Sequence, residues 1–228
     1  ATLDLLSDGR LEVGVGAGWM TNDYSWTGIT QDRAGVRIDR MIEAITVLRG
    51  LWGDDAFSFD GEHYTITEMK GLPKPVQAGG PPIVVGGGSK RVLSTAARLA
   101  DIVGVNPNVG EGKFGAEAIA SMSADATDEK LGWVRAAAGD RFDDIEISIL
   151  KFFTVVTDDR DTVADKLGGS MGMDAATLLA SPHSLVGSAE QLVDELVEQR
   201  ERWQGSYVTV QADVFEAFAP VVAALAGT

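Results

Sequence analysis

The sequence predicts an α/β protein with a parallel sheet, on three grounds. Short apolar runs of strand length alternate with segments of helical periodicity. The runs are apolar almost throughout, as strands covered on both faces are. Glycine, 27 of 228 residues, gathers beside those same runs. Five strands are predicted, at residues 11–16, 82–86, 102–105, 146–156 and 206–210. A (β/α)₈ barrel needs eight, typically in ~250 residues. Five strands therefore suit either the last five units of such a barrel, with loop insertions, or an open doubly wound sheet complete in itself.

Each element has a local reason. Leu3 and Leu6 have helical spacing and Gly9 is the residue that stops a helix, so the sequence opens near a helix end. Between the first strand and the next helix, residues 21–31 are polar and turn-forming. Residues 33–52 carry Ala34, Ile38, Met41, Ile42, Ile45, Leu48 and Trp52 at three- and four-residue spacing, one continuous apolar stripe. Phe57-Ser58-Phe59 and His63-Tyr64-Thr65 flank Asp60-Gly61, a hairpin signal. The Pro- and Gly-rich stretch 71–82 is loop, so a hairpin and loop insertion near 54–81 interrupts an otherwise single domain, 1–228. Helices are predicted around 92–100, within 126–138, at 160–167, at 188–203 and at 214–225.

Composition narrows the function. With 34 acidic and 19 basic residues the formal charge is −15, which argues against a nucleic-acid surface. No apolar run approaches the roughly 18 residues of a membrane span. The absence of cysteine removes disulfides, thiolate zinc sites, iron–sulfur clusters and cysteine nucleophiles together. No targeting peptide is visible, so the expected location is the cytoplasm. The two histidines, His63 and His183, have no partner at metal-ligand spacing, and no metal is expected. His63 is expected to be exposed or interfacial in the hairpin, and His183 to make a loop hydrogen bond.

Three constellations could carry chemistry. Val13-Gly14-Val15-Gly16-Ala17-Gly18-Trp19 is not a dinucleotide fingerprint, because Trp19 stands where the third glycine belongs. Its alternating glycines leave one strand face without side chains, either for a planar ring or for tight packing inside a barrel. Trp19 could wall a pocket or anchor a loop. Gly86-Gly87-Gly88-Ser89-Lys90-Arg91 follows a strand and opens a helix, where free N–H groups and the helix dipole favour an anion; an ordinary strand-to-helix turn is the alternative. Arg33, Arg37 and Arg40 lie near one another in the N-terminal half of a helix. Glu43 is placed to neutralise Arg40, whereas Arg37 has no such partner and could reach a phosphate or carboxylate with its planar fork.

Taken as a set, these residues resemble the luciferase-like monooxygenase family. The resemblance runs from Leu5-Leu6-Ser7-Asp8-Gly9-Arg10-Leu11-Glu12 through Trp19, then Gly28, Arg37, Glu43, Leu51-Trp52 and Phe59-x-Gly61. It continues in Pro73-x-Pro75-x-Gln77, Pro82-Ile83-Val84-Val85-Gly86-Gly87 and Ala96-Ala97-x-x-Ala100-Asp101. Ser181-Pro182-His183-x-Leu185-x-Gly187 and Phe218-Ala219-Pro220-Val221-Val222 resemble an actinobacterial branch assigned to the deazaflavin coenzyme F420. The resemblance implies a (β/α)₈ TIM barrel of the bacterial-luciferase type, an oxidoreductase that uses F420 or alternatively FMN on a small-molecule substrate, and a homodimer. It implies a cofactor site of Gly16, Ala17, Gly18, Trp19, Arg37, Gly87, Gly88, Ser89 and Arg91, with the phosphate on the last five. The three βα units that precede residues 5–10 in family members are not seen here, so a barrel lacking its first three strands is expected and no catalytic acid or base is assigned. A non-catalytic flavin-binding or interaction protein derived from such a shortened barrel is the alternative from another class.

Overall fold

The computed structural model describes residues 1–110 and 112–227. Five parallel strands form its main sheet: β1 (Val13–Gly14), β4 (Ile83–Gly87), β5 (Ile102–Val105), β6 (Glu146–Leu150) and β9 (Gly205–Thr209), in that spatial order. Spatial order follows chain order without the reversal that defines a doubly wound sheet. The long helices follow the same order. α3 (Ala34–Trp52) packs on α4 (Lys90–Leu99), and α4 packs on α6 (Ala124–Ala138). One layer of helices outside a sequentially ordered parallel sheet is an arc of a (β/α) barrel, and the doubly wound alternative falls.

The core explains why these segments take these forms. Ile38, Met41 and Ile45, on the apolar stripe of α3, are buried against Ile83 and Val85 of β4 and Leu93, Ala96 and Ala97 of α4. Each large side chain of this kind contributes roughly 1.5–3 kcal/mol when fully buried. β5, paired on both sides, has all four residues buried, as its unbroken apolar run requires. Ser89 caps α4 through a bond from the Val92 N–H, and α9 (Ala189–Trp203) starts with a full capping box of Ser188 and Gln191. A second core joins Leu192 and Leu196 of α9 to Leu185 and to Phe218 and Val221 of α10 (Phe215–Leu225).

Several expectations are corrected. The run 146–156 is not one strand: it breaks after Leu150, and β7 (Phe153–Val156) leaves the main sheet to pair in parallel with β8 (Ser184–Gly187). Apolar periodicity is unchanged across the break, so composition could not reveal it. Residues 21–31 are not all loop, because α2 (Thr21–Thr27) closes on Gly28 in the left-handed region. α5 (Ala116–Ala120) and α8 (Ala175–Leu179) are five-residue helices too short for a periodic signal. β1 pairs over only two residues, with Val15 N–H adding a bond to the Val84 carbonyl. The opening helix is α1 (Thr2–Leu6), followed by Gly9 at φ +74°. Asp4 ties it to the 71–82 loop by accepting from Val76 N–H, Gln77 N–H and Gln77 Nε2 at 2.7–3.1 Å.

The hairpin, β2 (Phe57–Asp60) and β3 (Thr65–Met69), exposes a further correction. Glu43 does not neutralise Arg40, which pairs with Asp32 at 2.7 Å. Its carboxylate instead accepts the N–H groups of Glu62, His63 and Tyr64 at 2.8–3.0 Å, fastening the hairpin turn to α3. Desolvation pushes the Glu43 pKa up, but these three donors outweigh it and hold it below the ordinary 4.5. The attachment is thus complete above about pH 4.5 and is lost as pH falls through the lowered value. Amide exchange at residues 62–64 is expected to quicken in acid well before that of α3, and Glu43→Gln to show the same fast exchange at neutral pH.

Candidate cofactor site

The C-terminal ends of β1, β4, β5 and β6 open on one cavity of about 950 Å³, on the face where barrel folds place their sites. Its floor is made by glycines. A side chain on Gly14 or Gly16 would meet nothing within 4 Å. Gly86 and Gly104 face each other across β4 and β5, so closely that a Cβ on Gly104 would lie 3.0 Å from the Gly86 Cα. Gly14 and Gly16 thus border open space, whereas Gly18, at φ +67°, is packed against Tyr24, whose hydroxyl a Cβ there would strike.

Eight of the nine predicted residues line this cavity: Gly16, Ala17, Gly18, Trp19, Arg37, Gly87, Gly88 and Ser89. Trp19 thereby forms part of the wall. Arg37 Nε donates to the Asp32 carbonyl at 2.9 Å and Nη1 to the Ala17 carbonyl at 3.2 Å, while the guanidinium lies 5.7 Å from the Tyr24 ring centre. These contacts fix the fork beside the strand end, and Nη2 makes no hydrogen bond among the described residues. Arg91 is the exception. Its guanidinium turns to α3 and pairs with Asp39 at 2.5 Å, outside the cavity. Helical position put Arg91 near the turn, but it could not show that Asp39 lies within reach on the neighbouring helix.

Opposite the first strand, the wall is the segment after β5, and the sequence reading missed it. Asn106, Pro107, Asn108, Val109 and Gly110 line the cavity, followed by Phe114. Asn106 N–H bonds the Gly87 carbonyl at 3.0 Å, and Asn108 N–H bonds Ser121 Oγ at 2.7 Å. Lys130, reaching in from α6, is almost fully buried and donates to the carbonyls of Asn106 at 2.9 Å and Ser121 at 2.6 Å. Burial pushes its pKa down to about 8. The available signal was positional: Asn106-Pro107-Asn108 directly follows a buried strand at the barrel's functional end. Leu150, Phe152 and Phe153 complete the lining from the β6–β7 break. His183 is buried just before β8, and its Nδ1 lies 2.9 Å from the Leu150 carbonyl. His63 lies in the hairpin turn, half-buried.

An arc of parallel strands with helices outside and a cavity at the C-terminal strand ends defines a protein of the (β/α)-barrel class. The sequence profile of the luciferase-like monooxygenase family matches residues 1–228, and the chain belongs to that family. Over 112 residues it is 35% identical to the FMNH(2)-dependent dimethylsulfone monooxygenase of Pseudomonas putida, a stretch covering 49% of this chain and 31% of that protein. Over 101 residues it is 33% identical to the F420-dependent glucose-6-phosphate dehydrogenase of Amycolatopsis mediterranei, covering 44% and 30%. The matched stretch thus spans about a third of the curated relatives' length. Among solved structures, an F420-dependent secondary alcohol dehydrogenase superposes with a TM-score of 0.66 at 20% identity, covering 99% of this chain and 72% of that one. The monooxygenase RslO1 from Streptomyces bottropensis gives 0.65 at 21%, covering 92% and 64%. Both share the fold. Among the described residues no helix is long and apolar enough to cross a membrane.

Proposed function

We propose that this chain forms the cofactor-binding part of an oxidoreductase that transfers hydride between coenzyme F420 and a small organic substrate. The observation that carries the reading is the gathering of the glycine floor, the Gly87-Gly88-Ser89 turn and the Arg37 fork in one cavity. The residues fit the group: a floor without side chains would admit a planar ring, and the N–H groups opening α4 would meet a phosphate with the helix dipole behind them. When bound, F420 supplies hydride chemistry at its ring. The chain's own residues would bind and orient: Arg37 would hold a phosphate with Nη2, Ser89 fixes the start of α4, and the Asn106–Asn108 segment would border the ligand on the far side. FMN is the second reading, favoured by the 35% identity to an FMNH(2)-dependent monooxygenase and by Arg37 being the one charged group among the described lining residues, few for the acidic tail of F420. With FMN the reaction would be a monooxygenation using O₂. A homodimer in the cytoplasm suits either reading.

Titration with F420 and, separately, FMN, followed by cofactor fluorescence, tests this. Saturable binding of F420 in preference to FMN is expected; preference for FMN would move the assignment to the monooxygenase, and binding of neither would overturn both. Arg37→Ala should weaken cofactor binding about tenfold or more, near 1.4 kcal/mol, the worth of a charge-assisted hydrogen bond. Arg91→Ala should change it less than twofold, since that guanidinium is spent on Asp39.

A further inference from the structure

The end of the cavity away from the glycine turn has a different chemistry. Phe114 and Phe152 stand 5.4 Å apart between ring centres, and Phe153 and Leu150 continue the same wall. The backbone beneath is held from several directions. Phe152 N–H and Phe153 N–H both donate to the His183 carbonyl, at 2.8 and 3.3 Å, and the His183 ring lies against Phe152 with 6.0 Å between centres. Lys151 N–H bonds the Thr209 carbonyl at 3.1 Å, and Gln211 Nε2 donates to the Lys151 carbonyl. The Lys151 ammonium is not offered to the cavity. Its side chain is buried and donates to the Pro182 carbonyl at 2.6 Å and to Gln199 Oε1. Burial costs this lysine, whose pKa is pushed down to about 7, so its place is justified by what it fastens: the break in the strand that turns Phe152 and Phe153 to the cavity.

We infer that this preorganised aromatic wall receives an uncharged, apolar substrate, with its reacting carbon held above the glycine floor. The inference rests on the cofactor reading above, which assigns the floor and the turn to the cofactor and leaves the wall for the second molecule. A volume of about 950 Å³ lies at the upper end of the ~300–1,000 Å³ usual for small-molecule sites, room for both. Arg37, the one charged lining residue among those described, sits with the strand-end glycines and not with the phenylalanines. A carboxylate or phosphate against the wall would lose its hydration without gaining a partner, whereas apolar surface gains on leaving water.

The test uses 1-hexanol and hexanoate as probes of equal length, titrated calorimetrically into the chain with and without saturating F420. Hexanol should bind saturably and at least tenfold more tightly than hexanoate. Phe114→Asp, at a side chain already 40% exposed and so tolerant of change, should weaken hexanol at least tenfold while leaving cofactor affinity within twofold. Phe152→Leu, which keeps the core apolar, should weaken hexanol by a few fold. Hexanoate binding as tightly as hexanol, no saturable hexanol binding in either state, or hexanol binding indifferent to Phe114→Asp would each overturn the inference. Loss of F420 and FMN binding with hexanol binding intact would overturn the cofactor reading and leave the apolar wall standing.

Discussion

Gly88→Ala is expected to damage both the fold and the cavity rim. A Cβ at position 88 would collide with the carbonyl group of Pro107 and lie 2.5 Å from the Asn108 nitrogen. All of these are backbone atoms, so no rotamer change can relieve the clash. The strand-to-helix turn and the segment after β5 must separate, at an overpacking cost of roughly 2–3 kcal/mol, or a fall in Tm of about 4–12 °C for a chain of this size. Cofactor affinity should drop tenfold or more, because the N–H groups of the turn move with it. Gly16→Ala separates the two effects. Nothing lies within 4 Å of a Cβ there, so stability should stay within about 0.5 kcal/mol while the methyl group occupies the cavity floor and binding falls about tenfold. Thermal melts paired with cofactor titrations check both. Equal stability loss in the two variants would contradict the geometry.

Lys130→Met is the second large effect. The methionine keeps the apolar stem but leaves the carbonyls of Asn106 and Ser121 without their donor. Buried groups left unpaired cost about 1–3 kcal/mol each, so a loss of roughly 2–4 kcal/mol is expected. The variant should also alter pH dependence. In the folded chain Lys130 releases its proton near pH 8, and in the unfolded chain near 10.5. Between those values the unfolded state holds more protons, so this group adds stability as pH rises. Denaturant unfolding at pH 8 and pH 10 should show a smaller rise in the variant than in the parent. A variant as stable as the parent at pH 7 would mean that relief of the buried ammonium's desolvation offsets the two lost hydrogen bonds.

Much of the architecture was legible because burial writes itself into composition. Each of the five runs predicted as strands overlaps one strand of the main sheet, the fourth running on into β7 of the second sheet, and the stripe from Ala34 to Trp52 is α3. The site was half legible. Glycines announce themselves, since only they leave a strand face or a turn bare, and Arg37 stood out by having no helical partner. What stayed hidden depends on pairs distant in sequence. Asp39 claims Arg91 and Asp32 claims Arg40, while the turn at residues 62–64 claims Glu43. None of these follows from spacing along one helix. Phe152 and Phe153 were hidden differently: inside an apolar run they read as core, and only the break after Leu150 turns them to the cavity.

The grip of Glu43 on the hairpin constrains how this sequence can drift. Three main-chain donors end on one carboxylate, so the tie does not depend on the side chains of residues 62–64 but does depend on the acid at position 43. A lineage that trims the hairpin releases Glu43 to vary at once. One that acquires a hairpin of this shape must find an acid at that height on the helix first, six residues from the arginine that borders the cavity. The hairpin and α3 thus act as one mechanical part, and a graft that moves either without the other separates a carboxylate from the backbone it holds.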